Sequence, residues 1–380
     1  MEMKTNSSVK KRKSKLTNDQ IRSLLNDPFQ GKGGYKPQKI TKKPELKVAT
    51  NENLVFPKGI IKQAMQRAIE KIDPRVYPES YSESLCSKLG EKYGISPIRV
   101  VVANGGDTII DTIVRMTVKK GYSAVIIAPT FSMYEHAIRV QGGEINQMFL
   151  SPAPDFKLNL NDILANIHPR KDRLMFLCSP NNPTGNQFDK RMVIKLIAEF
   201  PGIVALDEAY ASFGRYSMVS SLDEFPNLLI MKTFSKAFGL AGLRIGYSLS
   251  SELLATRMKE ILPIYNVNSI AIEVAKELLD REDQINPVFN EIITERERVF
   301  GELEQIPGIM PFKSDANFIL FKTINYTARE LHQELSTKGI LLRKQTDAPL
   351  CGQCLRVTIT TKENNNFFLE TLEKIINTKN

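Results

Sequence analysis

Nowhere in these 380 residues does an apolar run approach the ~20 residues needed to cross a bilayer; stretches such as Ala124–Pro129 are far shorter. No apolar core follows the charged N-terminus, so neither a membrane span nor a secretory leader is expected. Cysteine is sparse. Cys86, Cys178, Cys351 and Cys354 cannot form a disulfide framework in so long a chain, which points to a reducing compartment, the cytoplasm. Histidine is sparser still, with His136, His168 and His332 alone. Cys351-Gly352-Gln353-Cys354 is one Cys pair without a second, so a tetrahedral zinc site lacks ligands and no metal is expected. The chain also lacks an excess of one charge once its first residues are set aside. Residues 1–47 hold 13 Lys and Arg against 4 Asp and Glu, and the remainder holds 39 against 38. The run Lys10-Lys11-Arg12-Lys13-Ser14-Lys15 could anchor a polyanion. It has no interleaved aromatics for base stacking, so a solvated tail is expected and a nucleic-acid partner is not.

What is present is the composition of a globular enzyme or binding protein, 42% hydrophobic and 25% charged, in a length that predicts two or three packed units at about 100–200 residues each. After residue 48, short β-branched runs alternate with longer amphipathic segments. The expected strands are Val100–Ala103, Ala124–Ala128, Glu144–Leu150, Leu174–Cys178, Ile203–Asp207, Leu228–Thr233 and Ile245–Leu249. Between them, Ile109–Val118, Met133–Val140, Leu160–Ile167 and Met192–Phe200 carry helical periodicity. This alternation predicts an α/β fold with a mostly parallel sheet covered on both faces. From about Ser269 to Leu303 the pattern is a long amphipathic helix interrupted near Pro287, and strands return at Phe318–Lys322, Ile340–Leu342 and Leu355–Ile359. The expected division is a basic, partly flexible extension over 1–47, a large domain over 48–265 and a smaller α+β domain over 266–380.

Ligands of open α/β sheets bind where strands end and loops begin. Four such junctions stand out. Asn104-Gly105-Gly106-Asp107-Thr108 places two glycines and a helix start where backbone N–H groups could meet a phosphate, although a capped turn would look the same. Ser179-Pro180-Asn181-Asn182-Pro183-Thr184-Gly185 is either a rigid turn presenting Asn amides or a turn alone. In Asp207-Glu208-Ala209-Tyr210 an acid at a strand end needs a cationic partner, bound or structural. In Thr233-Phe234-Ser235-Lys236-Ala237-Phe238-Gly239 and onward to Arg244, a lysine beside apolar strands could serve as an amine nucleophile.

In this order, and with 25 residues from Asn182 to Asp207, 29 to Lys236 and 8 more to Arg244, the four motifs resemble those of fold-type I pyridoxal-phosphate enzymes of the class I/II aminotransferase family. The resemblance implies a large cofactor-binding domain, a smaller C-terminal domain and pyridoxal 5′-phosphate as cofactor. Lys236 would hold the cofactor as a Schiff base and shuttle a proton. Asp207 would pair with the ring nitrogen, Asn182 and Tyr210 would hydrogen-bond the phenolic oxygen, and Phe131 would stack on the ring. Gly106, Asp107, Thr233, Ser235 and Arg244 would bind the cofactor phosphate.

Within that family the chain is most similar to histidinol-phosphate aminotransferases, through Gly34-Tyr35, Asn51-Glu52-Asn53, Tyr77-Pro78, Leu341-Leu342-Arg343 and Cys354-Leu355-Arg356-Val357-Thr358. This implies that Tyr77 reaches the cofactor phosphate of a second copy, hence a homodimer. It implies that Tyr35, Arg343 and Arg356 bind substrate, and that the reaction takes histidinol phosphate and 2-oxoglutarate to imidazole acetol-phosphate and glutamate in histidine biosynthesis. Three departures bear on the substrate: the long basic stretch before Tyr35, Thr108 where an acid is frequent, and Ala211-Ser212-Phe213 after the aspartate motif. They leave open a threonine-phosphate decarboxylase or an aromatic or broad aminotransferase. A cofactor-binding regulator acting on nucleic acid would need a DNA-binding module that residues 1–47 do not supply.

Overall fold

The structure, a computed structural model, describes residues 17–29 and 43–378, so the Tyr35 and polybasic-run expectations lie outside the described residues. The chain divides into two compact units, 1–34 and 35–380. The first contains a short helix, Asn18–Ser23, closed at its N-terminus by a capping box in which Thr17 and Gln20 each accept the other's backbone N–H. None of its residues is buried.

The second unit is built on a seven-stranded sheet. The strands of the chain are β1 (Leu46–Lys47), β2 (Val100–Ala103), β3 (Ser123–Ala128), β4 (Glu144–Phe149), β5 (Asp172–Cys178), β6 (Ile203–Asp207), β7 (Leu228–Thr233), β8 (Gly246–Leu249), β9 (Ile309–Pro311), β10 (Phe318–Thr323), β11 (Ile340–Leu341), β12 (Arg343–Lys344) and β13 (Cys354–Thr358). The large sheet runs β2-β8-β7-β6-β5-β3-β4. β7, β6, β5, β3 and β4 pair in parallel, and β8 is antiparallel to both neighbours.

The middles of its central strands are apolar because both faces are covered, and their charged residues fall at the strand ends. Ile126, Phe176, Leu229 and Met231 pack on one side with Ile109, Ile113, Tyr134, Ile138 and Met258, from the helices Gly106–Thr117, Met133–Val140 and Glu252–Ile261. Alternate residues Val125, Ile127, Met175, Leu177 and Ile230 face the other core, with Leu85, Leu89, Val193 and Leu196 from Glu83–Tyr93 and Lys190–Glu199. Each fully buried aliphatic side chain contributes about 1.5–3 kcal/mol relative to exposure. The two-layer covering therefore fixes where the strand ends lie.

A second, antiparallel sheet runs β12-β13-β10-β9, and β1 pairs in parallel with β11. The expected strands are present within about two residues of their expected ends; β1, β9 and β12 are additional. One expectation is overturned. The break in the long C-terminal helix falls at Asp280–Arg281, between Ser269–Leu279 and Glu282–Gln305, and Pro287 lies inside the second helix. Pro287 is the sixth residue of that helix, past its unpaired first N–H groups, so the helix gives up one bond, to the Asp283 carbonyl, and continues through it on the buried side chains Ile285, Val288 and Ile292.

Among the described residues no helix is long and apolar enough to cross a membrane. The four cysteines are free and buried.

Candidate active site

The C-terminal ends of the parallel strands β3, β5, β6 and β7 open into a cleft of about 580 Å³. Its lining includes Gly106, Asp107, Phe131, Asn182, Asp207, Tyr210, Thr233, Ser235, Lys236, Arg244, Arg343 and Arg356. The structure thus brings together all the expected site residues except Tyr35, which is not described, and Tyr77. Tyr77 is 79% exposed and stacks on Tyr265 with ring centroids 4.8 Å apart.

One end of the cleft is built for an anion. The helix Gly106–Thr117 starts here, so its first N–H groups have no intrahelical acceptor. Gly105 has φ +87°, and a Cβ on it would meet the Arg244 guanidinium at 2.7 Å. A Cβ on Gly246 would strike the Gly105–Gly106 backbone at 2.6 Å, so both positions exclude a side chain. Arg244 itself lies in the left-handed region at φ +54°, a conformation that costs a non-glycine residue about 1–2 kcal/mol. Its guanidinium donates to Asp107 Oδ2 at 3.2 Å and to Ala241 O at 3.3 Å. The Asp107 carboxylate therefore orients Arg244, and only its backbone is free to face an anion. Thr233 donates to Ile245 O at 3.1 Å and accepts the Ser235 N–H at 3.1 Å, which sets the turn carrying Lys236.

At the other end of the ring-sized space stands Asp207. It is buried, its Oδ2 accepts from Tyr134 Oη at 2.6 Å, and its Oδ1 accepts the Ala209 N–H at 2.9 Å. Burial raises its pKa from the ordinary aspartate value, although both hydrogen bonds oppose the rise. Among the described residues no cation forms a salt bridge with it, so the carboxylate suits a cationic heteroatom in the cleft. Tyr210 accepts from Asn51 Nδ2 at 2.9 Å and packs edge-on against Phe318. Burial holds its phenol well above the ordinary value.

Lys236 reaches between these two ends. Its Nζ donates to Thr50 O at 2.9 Å and lies 5.9 Å from the Tyr210 ring centroid. Burial, helped by the positive charges of Arg356 and Arg244, pushes its pKa down to about 8, with Glu52 opposing. Arg356 is buried, donates to Asn182 Oδ1 and to Ala49 O, and lies over the Phe318 ring. Arg343 on β12 pairs in register with Arg356 on β13, and both residues line the one cleft.

Several residues of the site were not expected. Tyr134, Asn51 and Thr50 contact the site residues from 73, 159 and 186 positions away. Asn51 lies in a motif already noted for its resemblance, but its contact with Tyr210 has no local signal. Asn181, expected to present an amide to the crevice, instead ties two loops together by donating to Pro129 O and Thr184 Oγ1, each at 2.8 Å.

The aminotransferase class I and II profile matches residues 43–372. The histidinol-phosphate aminotransferase of Flavobacterium psychrophilum is 37% identical over 290 residues, 76% of this chain and 82% of its own length. That of Caldanaerobacter subterraneus subsp. tengcongensis is 32% identical over 357 residues, 94% of this chain and 99% of its own. The crystal structure of histidinol-phosphate aminotransferase from Sinorhizobium meliloti in complex with pyridoxal-5′-phosphate matches with a TM-score of 0.82 at 25% identity, covering 89% of this chain and 93% of that one.

Proposed function

The chain belongs to the class I and II aminotransferase family, and from that premise we propose that it moves the amino group of histidinol phosphate to 2-oxoglutarate, yielding imidazole acetol-phosphate and glutamate in histidine biosynthesis. It is a pyridoxal-phosphate-dependent transferase. When bound, pyridoxal 5′-phosphate supplies a conjugated, electron-withdrawing ring that makes the substrate Cα–H acidic.

The cleft's own groups fit that cofactor. The Gly105–Gly106 backbone, Ser235, Thr233 and Arg244 suit its phosphate, and Phe131 offers an aromatic face. Asp207, which has no salt-bridge partner among the described residues, would meet the ring nitrogen and favour its protonated form. Asn182 and Tyr210 would orient the phenolic oxygen. The lowered pKa of Lys236 leaves a useful fraction of its Nζ neutral near pH 8, as a nucleophile requires, and the same atom then carries the proton taken from substrate Cα.

The observation that carries the substrate reading is the opposed pair Arg343 and Arg356. Like charges directly across a sheet are unfavourable, and an anion between them removes the conflict. Two planar forks suit a phosphate in one half-reaction and a carboxylate in the other. We further propose a homodimer working in the cytoplasm. Val76, Tyr77, Ile264 and Tyr265 form an exposed apolar group that a second copy would cover.

The test is to incubate the purified enzyme with histidinol phosphate and 2-oxoglutarate and follow glutamate. A kcat/KM for phenylalanine equal to that for histidinol phosphate would overturn the substrate reading, and CO₂ release from threonine phosphate would replace it with a decarboxylase.

A further inference from the structure

We propose that Tyr134 is a positioning residue that fixes the Asp207 carboxylate and thereby sets how tightly the chain grips the ring nitrogen of its cofactor. This rests on the aminotransferase reading above and adds to it a residue outside the cleft lining.

Tyr134 is fully buried on the first turn of the helix Met133–Val140, with its backbone N–H donating to Phe131 O at 3.2 Å. Its ring lies parallel to Phe176 of β5, centroids 4.4 Å apart and planes 3° apart, and meets Phe131 edge-on at 5.7 Å and 88°. Two aromatic contacts therefore lock the ring, and the locked ring aims its hydroxyl at Asp207 Oδ2, 2.6 Å away. One side chain touches both the aromatic residue suited to face the cofactor ring and the carboxylate suited to meet its nitrogen. Sub-ångström placement of such a pair depends on supporting contacts of this kind.

The phenol matters because little else around Asp207 favours its charge. Asp107 and Glu208 face it with the same sign, the Cys178 thiol and Tyr210 phenol are neutral, and Lys236 stands across the cleft. Only the Tyr134 hydroxyl and the Ala209 N–H donate to the carboxylate among the described residues. Burial and the Asp207 charge hold the Tyr134 phenol far above its ordinary pKa, so it remains a donor across the working pH range. Removing it leaves a buried oxygen without its donor and favours the neutral acid, which cannot hold a pyridinium.

Tyr134→Phe keeps both ring contacts and deletes the donor. Equilibrium dialysis of the cofactor-free variant should show a Kd for pyridoxal phosphate raised about tenfold. Its cofactor, followed by visible absorbance, should be lost on acidification with a midpoint about one pH unit higher than in the wild type. The KM for 2-oxoglutarate should stay within about twofold while kcat falls. Phe176→Leu separates this from packing, since it loosens the ring but leaves the hydroxyl, and should lower Tm without moving the acid midpoint. An unchanged Kd and midpoint in Tyr134→Phe, or an equal midpoint shift in Phe176→Leu, would overturn the proposal. A wild-type chain that takes up no pyridoxal phosphate would overturn the aminotransferase reading itself.

Discussion

Arg343 and Arg356 stand opposite each other on adjacent antiparallel strands, and both line the cleft that holds Lys236. Arg356→Lys should lower kcat/KM for histidinol phosphate by about 1.5–3 kcal/mol, because a single ammonium cannot reproduce charge-assisted, forked hydrogen bonds. The glutamate half-reaction should fall as well, and Arg343→Ala should weaken histidinol phosphate more than an apolar amine donor. Steady-state kinetics with both donors checks this; equal losses for both would assign the arginines to structure.

Lys236→Ala should abolish covalent cofactor attachment and with it the yellow colour and the activity. In the wild type, Nζ must be neutral to attack, and its pKa is pushed down to about 8. The rate at which cofactor-free enzyme captures pyridoxal phosphate should therefore rise with pH through about 8 and level off above it. Stopped-flow absorbance gives the profile, and a rise centred near the ordinary lysine value would show that burial does not act on this amine.

Asp207→Asn should reduce turnover by about 10²–10⁴-fold, since an amide cannot hold the pyridinium charge. Its effect on the cofactor-free protein should have the opposite sign. Burial raises the pKa of Asp207, so the folded state disfavours its ionised form, lowering stability at neutral pH and regaining it as pH falls toward the folded-state value. The cofactor-free variant should consequently melt higher than the cofactor-free wild type at pH 7–8. A lower Tm in the variant would mean that the carboxylate's hydrogen bonds outweigh its desolvation.

Deleting residues 1–30 should leave turnover intact. The helix Asn18–Ser23 within that stretch buries no residue, and the segment before Tyr35 is charged and poor in apolar groups. Activity assays on the shortened chain decide it, and a collapse of turnover would make the segment part of the working enzyme.

The strands and the loops between Asn182 and Arg244 were legible because their signals are local. A buried β-branched run ends, a Gly, Pro or Asn turn follows, and the reactive side chain sits on the junction. Asn51, Thr50 and Tyr134 were not legible as site residues, since each acts through a contact that exists only once distant segments pack. Pro287 misled for a related reason. A proline removes one helical hydrogen bond, but the helix from Glu282 continues through it because Ile285, Val288 and Ile292 pack in the core, a contact no local signal shows.

The segment from Leu46 to Asn51 ties the reactive lysine to the far end of the chain. Leu46 and Lys47 pair with Ile340 and Leu341, the Val48 carbonyl accepts from Thr358, the Ala49 carbonyl from Arg356, and the Asn51 N–H donates to Thr358 Oγ1. Thr50, in the middle of this strip, receives the Lys236 amine. Their partners lie some 300 positions downstream, and contacts closed over such long loops are slow to form. The large parallel sheet can therefore be complete in its own pairing and still lack a seat for its lysine. The carbonyl that receives the lysine is thus held in place by strands of the C-terminal part, and loosening β13 would disturb the amine without touching any residue beside it.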